Sequence, residues 1–119
     1  MQAISNTPAI INTDIINTDA EFQAIRDNWN KLWQQAQAPI GLQWDWIAAV
    51  HAAHGTNRQH FHAVVRQNDE VAGIFPAALE DGKLIGAGMP RADSMDLLCT
   101  ESDKASVAVE ILKAFADAP

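Results

Sequence analysis

The segment HFHAVVRQNDEVAGIFPAALEDGKLIGA, residues 60–87, decides the fold because strand-forming stretches alternate in it with turn residues. The stretches at 60–66 and 71–79 are rich in strand formers and flank a polar turn at 67–70. Asp81 and Gly82 then form a typical hairpin turn before the strand at 83–87. Pro76 cannot donate to a ladder, so it marks an edge, a bulge or a strand end. The segment predicts antiparallel strands joined by hairpins.

Helical patterns flank this segment on both sides. Thr18, followed three residues later by Glu21, forms a capping box, and apolar residues recur at helical spacing from there to Pro39. A shorter helix is predicted over 43–54, and a last one over about 102–116, with Ser102 as its N-cap. The predicted buried faces comprise Phe22, Ile25, Trp29, Leu32 and Trp33 in the first helix, and Ala108, Ile111, Leu112 and Phe115 in the last.

The order of these elements predicts an α+β fold. IINTD occurs twice in succession over residues 10–19, and a first strand is predicted over 9–17. Residues 94–100 predict a short last strand. Two helices follow the first strand and one closes the chain. We therefore expect a single domain over residues 1–119, with one layer of helices on an antiparallel sheet of about four to five strands.

Composition excludes several classes of function. Eight Lys and Arg stand against fifteen Asp and Glu, and no basic stripe is present, which argues against binding to nucleic acid or to an anionic membrane surface. No segment approaches the ~20 apolar residues of a membrane span, and the N-terminus lacks the features of a signal peptide. A cytoplasmic protein is expected. Cys99, the single cysteine, rules out an intrachain disulfide and is predicted to fill space in a buried strand.

Four stretches resemble one enzyme family. They are FxxIxxxWxxL (22–32), PIGLQxxW (39–46), AVVR with VAGIFPA (63–77) and DxxDLL (93–98). Together they resemble the N-terminal part of the CelD-like and FemAB-like acyltransferases, which have a GNAT-type fold. The resemblance spans nearly all of this chain, and it implies the first half of a GNAT-like domain related to acyltransferases.

The acetyl-CoA site that this resemblance implies does not match the chain. In the family, a glycine-rich loop that opens a helix presents its backbone N–H groups to the pyrophosphate. Here the last helix is preceded by LCTESD, residues 98–103, which has no glycine and two carboxylates. We therefore expect no cofactor, no catalytic residue and no enzymatic activity in this chain alone.

The four histidines form the candidate site that is easiest to test. His51 and His54 are three residues apart on the second helix, and His60 and His62 share one face of the next strand. A helix pair and a strand pair of imidazoles are able to bind zinc or nickel, although surface histidines give the same pattern.

Two further groups are candidates for ligand binding. Trp44 and Trp46 form an aromatic wall or, alternatively, pack in the core. Arg91, Asp93 and Asp96 lie in a loop rich in Gly and Pro, where functional polar groups concentrate.

Three functions remain open on this basis. The first is a non-catalytic binding or interaction protein that forms a homodimer, because a half-domain leaves a sheet edge unpaired and an apolar face uncovered. The second is a fragment or subunit of an acyltransferase. The third is a histidine-based protein that binds a metal or a small ligand.

Overall fold

Antiparallel sheets and α-helices make up the computed structural model, which describes residues 11–54, 57–87, 97–100 and 103–117. The strands are β1 (Ile11–Ile16), β2 (Arg58–His60), β3 (His62–Gln67), β4 (Glu70–Phe75), β5 (Ala77–Glu80), β6 (Lys83–Gly86) and β7 (Leu98–Cys99). The helices are α1 (Asp19–Ala24), α2 (Arg26–Ala36), α3 (Trp44–His54) and α4 (Lys104–Asp117), with a 3-10 helix at Ile40–Leu42. The predicted α+β class is confirmed.

The strands are divided between two sheets, where the sequence predicted one. The first sheet has the order β1-β3-β4-β7 and the second β2-β5-β6, with antiparallel neighbours throughout. Strands β2 and β3 form one arm of a long hairpin, and β4 and β5 form the other. Pro76 interrupts this hairpin because it has no N–H to donate. Its carbonyl instead accepts the N–H of Ala87 at 3.1 Å.

Both predicted turns are present as hairpin turns, and the backbone at Asp81 and Gly82 has the conformation that the Asp-Gly pair favours. Asn68 and Asp69 both have positive φ, at 52° and 70°, as do Asp81 and Gly82, at 53° and 78°. Positive φ at both central residues is the geometry of a type I′ turn, which matches the twist of the flanking strands.

Helices pack on both faces of the first sheet, so the expectation of a single helical layer was wrong. Along β3, Val64 points into the larger core, which contains Trp29, while Ala63 and Val65 point to the opposite face. There they pack with Val107 of α4. Alternation along this central strand therefore supplies two cores, one beneath α2 and one beneath α4.

The predicted buried faces of the first and last helices agree with the structure to different extents. The first helix is divided at Ile25 into α1 and α2, and its predicted face is buried except for Trp33, which is half-buried. In α4, Ile111 is buried as predicted, but Leu112 is 69% exposed and Val107 is buried in addition. Val107 and Ile111 are four residues apart and share the face that meets the sheet, whereas Leu112 is one residue further round the helix.

Further predictions concern Cys99, the N-cap at Ser102, the ends of two strands and the absence of a membrane span. Cys99 is buried in β7, as expected. The N-cap prediction at Ser102, and the parts of the first and last predicted strands at 9–10 and 94–96, lie outside the described residues. Among the helices of the described ranges, none combines the length and apolar character of a membrane span.

Candidate functional site

Three histidines and one aspartate meet where α1 and α3 pack against the break in the long hairpin. Asp19 is the first residue of α1, His51 lies in α3, and His60 and His62 lie on either side of that break, at the end of β2 and the start of β3. His60 is 4% exposed and His62 is completely buried, whereas the Asp19 side chain is 83% exposed. The cluster therefore runs from the core to the surface.

Hydrogen bonds join His62, His60 and Asp19 into a chain in which the position of each ring proton is fixed. His62 Nδ1 lies 3.1 Å from the backbone N of Ala77 and accepts its proton, so a neutral His62 carries its own proton on Nε2. That Nε2–H donates to His60 Nδ1 at 2.9 Å. His60 then carries its proton on Nε2, which donates to Asp19 Oδ1 at 3.1 Å. Each donor in this chain faces an acceptor when both rings are neutral.

Aromatic stacking holds the rings in place. Four rings form a continuous stack, in the order Trp44, Phe22, His60 and His51. The successive centroid distances are 4.6, 4.2 and 3.7 Å. The Trp44 indole N–H is satisfied by the carbonyl oxygen of Phe22 at 2.9 Å. Trp44 is thus a buried packing residue that supports the histidines, which is the packing alternative of the sequence analysis.

Burial and neighbouring charge keep the two buried histidines neutral. Burial lowers the pKa of His60 to about 4, the neighbouring His51 lowers it as well, and Asp19 opposes this in part. Burial also holds the pKa of His62 well below its ordinary value of 6.5, with smaller contributions from His60 and His51. Protonating either ring would also place two donors face to face in the chain described above.

Only part of this cluster is arranged to hold a metal. Asp19, His51 and His60 each offer one ligand atom, and these three atoms all lie within 4.8 Å of one another. His62 is not part of this group, and its two ring nitrogens contact His60 and the backbone N of Ala77. The side chain of His54, the last residue of α3, lies outside the described part of the structure.

Sequence reasoning found the histidines but missed Asp19. An acidic residue in the first turn of a helix is commonplace, because it interacts favourably with the helix dipole. The contact with His60 spans 41 positions of the chain and depends on how α1 docks on β2. No local pattern signals that docking.

The other predicted ligand-binding residues have no shared site among the described residues. Trp46 is partly buried against the larger core, and its buried Nε1 has no hydrogen-bond partner in the described ranges. Arg91, Asp93 and Asp96 lie outside the described residues.

A second feature is the outer surface of α4. Next to the buried face of this helix is an apolar groove of about 230 Å³, with almost no polar surface. Its lining consists of Phe75, Leu97, Ala108, Ile111, Leu112 and Phe115. Val109 is 50% exposed on the same helix.

Comparisons with known proteins add no relative. No protein-family model matches the chain, and searches of curated proteins and of solved structures found no match.

Proposed function

We propose that this chain is a binding and interaction domain, non-catalytic on its own, that works as a homodimer assembled through α4. One observation carries the proposal: α4 has an apolar stripe that faces solvent. Ala105, Val109, Leu112 and Ala116 are all exposed and recur at the i, i+4, i+7 and i+11 positions of one helix face. The opposite face, with Val107 and Ile111, is already buried against the sheet. A helix that is apolar on both faces lacks a partner for one of them.

The stripe has the symmetry that self-association needs. In an antiparallel pairing about a two-fold axis between Glu110 and Ile111, Val109 faces Leu112 of the second copy, and Ala105 faces Ala116. Both pairs share one centre, so the stripe is self-complementary, as an isologous contact requires. The small side chains at its ends let the two helices approach closely.

The remaining surroundings of α4 also favour association. The apolar groove continues the stripe, with Leu112 common to both. Beside it lies β7, an edge strand of the first sheet that is two residues long. An apolar surface that faces solvent is typical of an interaction site.

The proposed relationship to acyltransferases draws support from the observed order of strand, helices, antiparallel strands and helix, on which the resemblance rests. A non-catalytic role draws support from the start of α4. Asp103 directly precedes this helix, and its carboxylate accepts the Thr100 hydroxyl at 3.2 Å. A carboxylate there repels the pyrophosphate of a CoA cofactor.

Sedimentation velocity tests the dimer. At micromolar concentration and about 0.15 M salt, which screens the surface charges, the wild-type chain should sediment as a dimer. Leu112→Glu should convert it to a monomer, because the charge would be buried at the centre of the contact. Leu84→Glu is the matched control, since Leu84 is 39% exposed on β6 of the other sheet and should leave the dimer intact. A wild-type monomer, or a Leu112→Glu dimer of unchanged stability, would overturn the proposal.

A further inference from the structure

We infer that Asp19, His51 and His60 form a binding site for one divalent first-row transition ion, for which Zn²⁺ is the natural probe. Two imidazoles and one carboxylate are a ligand set that zinc accepts, and three protein ligands leave a fourth position for solvent. The 83% exposure of the Asp19 side chain opens that position to water.

The distances fit a zinc centre with one small adjustment. Ligand atoms about 2.0–2.1 Å from a tetrahedral zinc ion are separated from one another by about 3.3 Å. His60 Nε2 and Asp19 Oδ1 are 3.1 Å apart, close to this value. His51 Nε2 and Asp19 Oδ1 are 4.0 Å apart, so the gap must close by about 0.7 Å. A turn of the half-buried His51 ring, together with a small shift of the exposed carboxylate, closes this gap.

Most of the site is ordered before any ion arrives. The His51 and His60 rings are stacked 3.7 Å apart at an angle of 16°, so their in-plane lone pairs run nearly parallel and the His51 ring must turn to face the same ion as His60. Behind His60, the Nε2–H of His62 donates to His60 Nδ1 and fixes the orientation of the ring. Thr18 caps α1 by accepting the N–H of Glu21 at 3.2 Å, and this positions Asp19 at the first turn.

Ion binding has a defined proton balance. In the metal-free chain the proton on His60 Nε2 points at Asp19, where the ion would lie. Binding therefore releases this proton to solvent, while His62 Nε2–H stays bonded to His60 Nδ1. Neither ring nitrogen of His60 then carries a proton, so His60 binds as an imidazolate, and the divalent ion offsets its negative charge. Metal binding generally releases protons from its ligands.

Isothermal titration of the full chain with zinc tests the inference. The wild type should bind one ion per chain and release at least one proton per ion, measured from the difference in heat between two buffers. Asp19→Asn and His51→Gln should each weaken binding by at least about tenfold. Both side chains are accessible, so these variants avoid the folding defect expected for a change at buried His60. Asp27→Asn is the matched control, because Asp27 is also an exposed first-turn aspartate, in α2, and should bind zinc normally.

Cobalt provides a second measurement. Co²⁺ bound to the wild type should give the visible absorption of a four-coordinate ion, and Asp19→Asn should reduce it. Absence of one-to-one binding at millimolar zinc would overturn the inference. Unchanged affinity in both Asp19→Asn and His51→Gln would also overturn it, because the ion would then be held elsewhere.

Discussion

The buried imidazole of His62 accepts the backbone N–H of Ala77 at 3.1 Å, directly after the proline that interrupts the long hairpin. Ala77 is itself completely buried, so no water is at hand to satisfy this amide. The side chain thus supplies an acceptor at the point where the strand ladder is broken. A buried donor without a partner costs about 1–3 kcal/mol, which makes His62 a structural residue as well as a member of the candidate site.

We expect His62→Leu to lower the free energy of unfolding by about 2–3 kcal/mol. Leucine fills much of the same space but leaves the Ala77 N–H and His60 Nδ1 without their partner. Urea denaturation measures the change. Gln59→Leu, at an exposed position of β2, is the control and should stay within about 0.5 kcal/mol of the wild type. A His62→Leu variant as stable as this control would show that the imidazole is not needed as an acceptor.

Acid should destabilise the fold from about pH 6.5 downwards, because of the two buried histidines. The pKa of His60 is lowered to about 4 and that of His62 well below 6.5 in the folded chain, so the unfolded chain takes up protons first as the pH falls. The contribution to stability is complete above pH 6.5 and is lost progressively between pH 6.5 and the folded pKa. Each histidine adds up to about 1.4 kcal/mol per pH unit to this slope.

Urea denaturation at a series of pH values, with a chelator present, measures this slope. Because burial is the main cause of both shifts, the slope should persist in about 0.5 M salt, which would screen an effect of surface charges. Stability that is constant from pH 7 to pH 5 would contradict the prediction.

Local chemistry explains why so much of the fold could be predicted. The residues at both hairpin turns, Asn68 with Asp69 and Asp81 with Gly82, favour positive φ, and the structure has it at all four. The helix end predicted at Pro39 is observed three residues earlier, at Ala36, and a proline disfavours helical backbone in the residue before it. These signals act over a few positions, so the sequence displays them directly.

Long-range docking explains the rest. Helices cover both faces of the first sheet because β3 has apolar residues on each side. Val64 and Val65 point to opposite faces and are equally hydrophobic, so the sequence does not show which face a helix covers. The approach of Asp19 to His60 depends on where α1 docks. The exposure of Leu112 depends on which side of α4 meets the sheet, and a helix that is apolar on two faces leaves that choice open.

Acetyl-CoA should not raise the melting temperature of this chain. A ligand that binds only the folded state stabilises it by mass action, so even millimolar affinity gives a measurable shift at excess ligand. The Asp103 carboxylate before α4 opposes a pyrophosphate at that helix end. Differential scanning fluorimetry at several millimolar acetyl-CoA measures the shift. Asp103→Asn tests whether this carboxylate is the reason, and a clear rise with the wild type would favour the acyltransferase fragment.

A close helix-to-sheet approach on the α4 side of the first sheet lies between Gly73 and Val107. A Cβ atom added at Gly73 of β4 would overlap the Val107 side chain, so glycine is needed there for lack of space. Gly73→Ala should therefore lower the free energy of unfolding by about 1–3 kcal/mol, as overpacking of a core does. Val107→Ala alone should also destabilise, because it leaves a cavity between α4 and the sheet.

The double variant decides whether steric overlap is the cause. If it is, the methyl group added at Gly73 occupies space that Val107→Ala has emptied, and the two costs should fall short of additive by about 1 kcal/mol or more. Gly82→Ala is the control, since a Cβ atom at Gly82 meets nothing within 4 Å and its cost arises from φ of +78°. Combined with Val107→Ala, it should be additive within about 0.5 kcal/mol. Additivity at Gly73 as well would mean that α4 moves away to accept the methyl group, and that its packing on the sheet is less specific than the contact implies.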